Sequence, residues 1–119
     1  MALPNLNRPA SVLGKNATQA ITTNATAIVS NSAASGKSIR IVSLYVSNVD
    51  GTNAASVTVS VFDGTTARHI CNTVAVPADS TVSVITREDI VYLNEGDSLR
   101  LTASANNDLE AVCSYEEVS

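Results

Sequence analysis

The chain has 119 residues, 45% of them hydrophobic but only 3% aromatic, and a formal charge of -4. That length suits one domain with one core, and without a Lys/Arg cluster or an aromatic stacking platform a nucleic-acid partner is not expected. No run approaches the roughly eighteen apolar residues of a membrane span, and the opening MALPNLNRPASVLG lacks the charged and apolar regions of a secretory leader, so synthesis in a cytoplasm and no membrane partner are expected.

About half of the residues are Val, Ala, Ser and Thr, while Leu, Glu, Lys and Gln, which favour surface helices, are scarce. Small and β-branched side chains suit a pleated surface, so the fold class expected is all-β. Charge is unevenly placed: residues 1–60 carry four basic and one acidic side chain, residues 61–119 three basic and ten acidic. Such asymmetry favours contacts with an oppositely charged neighbour, including another copy.

Residues 1–18, with Pro4, Pro9 and Gly14 among small polar residues, have the composition of an extended N-terminal arm, expected to be held by neighbouring chains in an assembly. The sandwich domain is then expected over 19–119. Its first strand is QAITTNATAIVS (19–30); the two Asn-x-Thr sequons at Asn16-Ala17-Thr18 and Asn24-Ala25-Thr26 mean little in a chain that is not secreted. SIRIVSLYVSNV (38–49) changes apolar parity from Ile39 and Ile41 to Val42, Leu44 and Val46, the mark of a bulge or of burial on both faces. ASVTVSVFD (55–63) alternates, with Val57, Val59 and Val61 on one face. ARHICNTVAV (67–76), TVSVITR (81–87), IVYL (90–93), SLRLTAS (98–104) and LEAVCSYEE (109–117) complete about eight strands. Short turn-typed connectors without a helical period predict a single antiparallel β-sandwich, jelly-roll or immunoglobulin-like.

Few side chains carry candidate chemistry. Asp50-Gly51-Thr52 and Asp63-Gly64-Thr65 resemble a phosphoryl-transfer loop, but haloacid-dehalogenase-type phosphatases need a nucleophilic Asp two residues upstream, where this chain has Asn48 and Val61. Asp-Gly favours type I′ hairpin corners, so both segments are expected to turn a three-strand meander. His69 and Cys71, two apart on one strand, are expected on one face; with Cys113 they leave open a metal site, a disulfide or two buried reduced thiols, the last being the simplest. Glu88, Asp89, Glu95 and Asp97 offer carboxylates for a calcium site or a glycosidase pair, but Asn94, Glu95, Gly96 and Asp97 only loosely imitate a calcium loop, and Gly96 is expected at positive φ in a tight turn. No nucleophile elbow, phosphate loop or His-carboxylate pair stands out. The expectation is a protein that is not an enzyme, with no catalytic residue, cofactor or metal.

The runs SLYVSNVDGTNAASVTVSVFD, VAVPADSTVSVI and VYLNEGDSLRLTASANNDLEAVCSYEE, in that order over about residues 43–117, resemble small β-sandwich virion structural proteins of tailed bacteriophages, particularly marine and cyanobacterial phages. The resemblance implies a capsid decoration or cement protein on the outer surface of the major capsid protein shell, made in a bacterial host's cytoplasm and grouped as a homo-oligomer, with a trimer favoured. Its partners would be the major capsid protein or other virion proteins, and the candidate contacts are Leu3, Leu6, Arg8, Val12 and Lys15 of the arm. A neck or tail component of the virion is the alternative. A carbohydrate or host-receptor module is another, although it would have to stack sugars on Tyr45, Phe62, Tyr92 or Tyr115.

Overall fold

The computed structural model describes residues 11–119, and these form an all-β sandwich. In chain order the strands are β1 (Val12–Ala20), β2 (Thr26–Ser30), β3 (Ser38–Asn48), β4 (Ala55–Phe62), β5 (Ala67–Val76), β6 (Thr81–Ile85), β7 (Val91–Leu93), β8 (Ser98–Ala103) and β9 (Leu109–Val118). One sheet runs β1-β9-β3, and β6 and β7 share the far side of β3; the other runs β2-β8-β4-β5. Every pairing is antiparallel.

Alternation builds the core. Val57 and Val59 of β4 lie beside Ala103 and Leu101 of β8, while Leu44 and Val46 of β3 lie beside Cys113 and Ala111 of β9, all of them buried. Removing such branched aliphatic side chains from water contributes roughly 1.5–3 kcal/mol each, which is how a core with hardly any aromatics holds. The parity change in β3 is a bulge: its register against β9 shifts between Ile41 and Ser43, leaving Val42 extra. Ile39 and Ile41 before it and Leu44 and Val46 after it therefore all reach the same core.

Residues 12–18, expected as part of an arm held by other chains, instead form most of β1. Nine register pairs, from Val12 with Val118 to Ala20 with Glu110, hold β1 against this chain's own β9. Ser11 and Ser119 extend that ladder, exchanging both backbone bonds at 3.0 and 2.9 Å. Residues 1–10 lie outside the described residues.

The single strand expected over 19–30 is two. The chain leaves β1 at the buried Ile21, turns through Thr22 to Asn24, where the Thr22 hydroxyl donates to the Asn24 carbonyl at 3.2 Å, and enters the other sheet as β2. Local hydroxyl-to-backbone bonding of this kind breaks a strand without Gly or Pro.

The expected meander is also corrected, because β3 and β4 belong to different sheets. Asp50-Gly51-Thr52 carries the chain across the sandwich, and only Asp63-Gly64-Thr65 turns a hairpin, between β4 and β5. Neither corner is type I′: among the described residues Asp50, Gly51 and Asp63 keep negative φ, and Gly64 alone of the two segments is positive, at 95°. Gly first of two central residues is the arrangement of a type II′ corner.

Candidate interaction surface

The outer face of the β1-β9-β3 sheet is set row by row by strand register. Thr18, Val112, Tyr45 and Ser83 make one row; Asn16, Ser114 and Ser43 the next. Gly14, Glu116, Arg40 and Tyr92 form a third, and Ala20, Glu110, Ser47 and Thr81 close the other end. These side chains face outward because their strand neighbours Ala111, Cys113, Leu44 and Val46 are buried.

At its centre Val112 and Tyr45, cross-strand partners, are each 46% exposed. Small polar groups flank them and are bonded to one another: Asn16 Oδ1 accepts from the Ser114 hydroxyl at 2.6 Å, and the Ser47 and Thr81 hydroxyls meet at 3.0 Å. One end is ionic, with Arg40 Nε donating to Glu116 Oε1 at 2.7 Å and Arg40 Nη2 also on that carboxylate. The hydrogen bond to Glu116 raises the Arg40 pKa further. Three shallow, open depressions of about 350, 380 and 340 Å³ indent this face: around Thr18, Glu110 and Val112; around Gly14, Asn16 and Ser114; and between Arg40, Arg87 and Ile90. The ensemble is a broad, gently relieved surface of short side chains with an apolar centre.

Of the contacts expected from sequence, Val12 lies half-exposed at the start of β1, and Lys15 on the same strand reaches Glu117 of β9 at 3.1 Å. Lys37, just before β3, meets the same carboxylate at 3.2 Å. Burial alone would raise the Glu117 pKa, but hydrogen bonds from both lysines hold it below its usual value. Leu3, Leu6 and Arg8 lie outside the described residues.

His69 and Cys71 do not share a face. The register runs from Ser60 with His69 to Val59 with Cys71, so Ile70 is an extra residue and the two side chains fall on opposite sides of β5, His69 exposed and Cys71 partly buried. Both cysteines are free. Cys113 is fully buried in the other sheet, where burial pushes its thiol up to about 12; burial raises Cys71 as well. Among the described residues no three His, Cys, Asp or Glu side chains are grouped to hold a metal ion. The acidic stretch serves its turns: Asp89 Oδ2 accepts from the Thr86 hydroxyl at 3.1 Å, Asp97 Oδ2 from the Asn94 amide at 2.9 Å, and Gly96 takes φ +89° as expected.

Aromatic side chains are spread out. Arg100 covers the Phe62 ring at 3.8 Å and Tyr115 packs against the core, leaving Tyr45 and Tyr92 exposed in different rows of the outer face. No helix among the described residues is long and apolar enough to cross a membrane.

Two residues not singled out in the sequence organise the ends of the sandwich. Buried Asn48 donates to the carbonyls of Asn53 and Val76, both at 2.9 Å, and its Oδ1 accepts from the Asp50 amide at 2.9 Å. Buried Asn31 donates to the Lys37 and Leu93 carbonyls at 2.9 and 3.0 Å and accepts from the Ser35 hydroxyl at 2.6 Å. Each has an Asx-turn residue or a Ser four or fewer positions downstream, the only local signal that could have marked them.

No family model matches the chain, and no curated protein does. In fold it is similar to a Bacillus endospore appendage protein, from a family of disulfide-linked pili, at 13% identity and a TM-score of 0.54, over 100% of this chain and 96% of that one. A second solved structure, a pentameric capsid protein isolated from metagenomic phage sequences, overlaps at 15% identity and a TM-score of 0.39, over 90% of this chain and 60% of that one. The first likeness is one of fold alone, and the second is too partial to carry an argument.

Proposed function

We propose that the chain is a non-enzymatic structural protein of a phage virion, a decoration or cement protein that lies on the outer surface of the major capsid protein shell and bridges neighbouring capsomers. The observation that carries this reading is the outer face of the β1-β9-β3 sheet: short side chains already bonded to one another around the exposed Tyr45 and Val112. Such a surface fits another protein surface, because an apolar centre with a satisfied polar rim is desolvated at low cost. The serial resemblance over residues 43–117 supports the virion setting. Leu3, Leu6, Arg8, Val12 and Lys15 remain the proposed contacts of the N-terminal segment, with Lys15 already committed in part to Glu117.

Cementing is then mass action: a protein that binds only the assembled shell stabilises that state in proportion to its occupancy. The test is to count copies on purified particles and to heat particles with and without the protein. On the order of hundreds of copies and a raised shell-melting temperature are expected of a symmetric capsid coat, whereas about a dozen copies would assign it to the neck or tail. Its absence from purified particles would overturn the virion reading.

A further inference from the structure

The sandwich has edges of unequal regularity. β2 spans five residues and its register breaks between Ala27 and Val29. β5 shifts register twice and has Thr73 at φ +50°. The far side of β3 is divided between five-residue β6 and three-residue β7, with a further break between Leu44 and Tyr45. Short strands and bulges are the usual devices that keep an edge from pairing with another chain. β1 has neither: nine residues pair with β9 without a shift, and among the described residues nothing pairs with its other side. Its one charge, Lys15, is tied to Glu117 of its own sheet.

The outward groups can be identified. Ser11 and Ser119 exchange both backbone bonds, and the Ile21 amide donates to the Leu109 carbonyl, so the odd residues of β1 bond to β9. Alternation then turns the amides and carbonyls of Val12, Gly14, Asn16, Thr18 and Ala20 toward the free edge.

We infer that β1 pairs antiparallel with β1 of a second copy about a two-fold axis at Asn16, joining two β1-β9-β3 sheets into one. This register sets Asn16 against Asn16, Gly14 against Thr18 and Val12 against Ala20, so every outward amide and carbonyl of the strand gains a partner. No charged side chain meets a like charge directly across, because Lys15 falls opposite Ala17. Residues 1–10 of a neighbouring chain fit the edge less well. Pro4 and Pro9 have opposite parity, so one or the other would face the edge without a donor. The inference is independent of the virion reading, since it concerns the isolated chain.

Sedimentation equilibrium of the full chain tests it. A concentration-dependent mass rising from 12.3 kDa toward twice that value is expected. Asn16→Pro removes an outward donor without touching the β1–β9 ladder, and Asn16→Lys sets two like charges across the axis. Each should weaken association by at least about tenfold while circular dichroism stays unchanged. Ala75→Lys on β5 and removal of residues 1–10 should leave association intact. A wild-type chain that stays monomeric at about millimolar concentration overturns the inference. So does a dimer that survives both Asn16 substitutions, or one lost with residues 1–10, which would give the edge to the N-terminal segment.

Discussion

The same tripeptide does two different jobs in this molecule. At Asp63-Gly64-Thr65 it turns one hairpin within a sheet, with Asp63 Oδ1 accepting from the Thr65 and Thr66 amides at 2.9 and 2.7 Å and Gly64 supplying the positive φ. At Asp50-Gly51-Thr52 the carboxylate makes the same kind of bonds, to the Thr52 and Asn53 amides at 2.8 and 3.2 Å, yet the chain changes sheets. What differs is the residue two before: Asn48 is buried and ties the segment to Val76, whereas Val61 carries no polar group. The carboxylate-to-amide bonds are thus shared, whereas the glycine's φ and the buried neighbour differ along with where the chain leads.

The largest test of that contrast is Asn48→Ala, which leaves the Val76 carbonyl and the Asp50 amide without their partner. A loss of about 2–3 kcal/mol in chemical denaturation is expected, and a loss below about 0.5 kcal/mol would show that the latch is dispensable. Next comes Gly64→Ala. A Cβ there meets nothing nearer than 3.9 Å, so the expected cost of about 1–2 kcal/mol is backbone strain alone. Gly51→Ala should change stability by less than about 0.5 kcal/mol, because φ is ordinary and the new Cβ meets only the Asp79 carboxylate, no nearer than 3.4 Å.

Acid acts on both turns with the same sign and on Asp108, beside the first of them, with the opposite one. Backbone amides hold Asp63 below its usual pKa, Thr66 more than Thr65, and Asp50 is lowered by Thr52 and then Asn53. A lowered carboxylate stabilises the fold above its unfolded pKa, and that stability is lost as pH falls through the folded one, in the window below about pH 4. Asp108, raised by desolvation and then by the nearby Asp50 charge, works the other way, its protonated form being favoured in the fold. Asp63→Asn should therefore flatten the acid limb of a thermal-melt series, while Asp108→Asn should raise the melting temperature near pH 7. A lowered melting temperature in Asp108→Asn would contradict this opposition of signs.

The strands with a clean period were legible: β4, β8 and β9 each put every other residue in the core, and the parity change in β3 announced its bulge. Two kinds of feature were not. β1 is an exposed edge whose stability comes from pairing with the far end of the chain, so VLGKNATQA has no apolar alternation to read. Sheet membership was likewise hidden, because Asp-Gly-Thr looks the same whether it closes a hairpin or crosses a sandwich. Of the candidate surface, Tyr45 was visible only as one of four aromatic side chains scattered along the chain. Its adjacency to Val112 depends on register between strands far apart in sequence.

The ladder between β1 and β9 also has a kinetic meaning. It joins Val12 to Val118, so it closes nearly the whole described chain into a loop, and the entropy of that closure is lost before its bonds form. The hairpin of β4 and β5 can zip early, whereas β1 must await the arrival of β9, and refolding should be limited by this last seam. Linking Ser119 to Ser11, already hydrogen-bonded, and opening the chain elsewhere would turn the slowest contact into a local hairpin, which stopped-flow refolding would register as a faster rate.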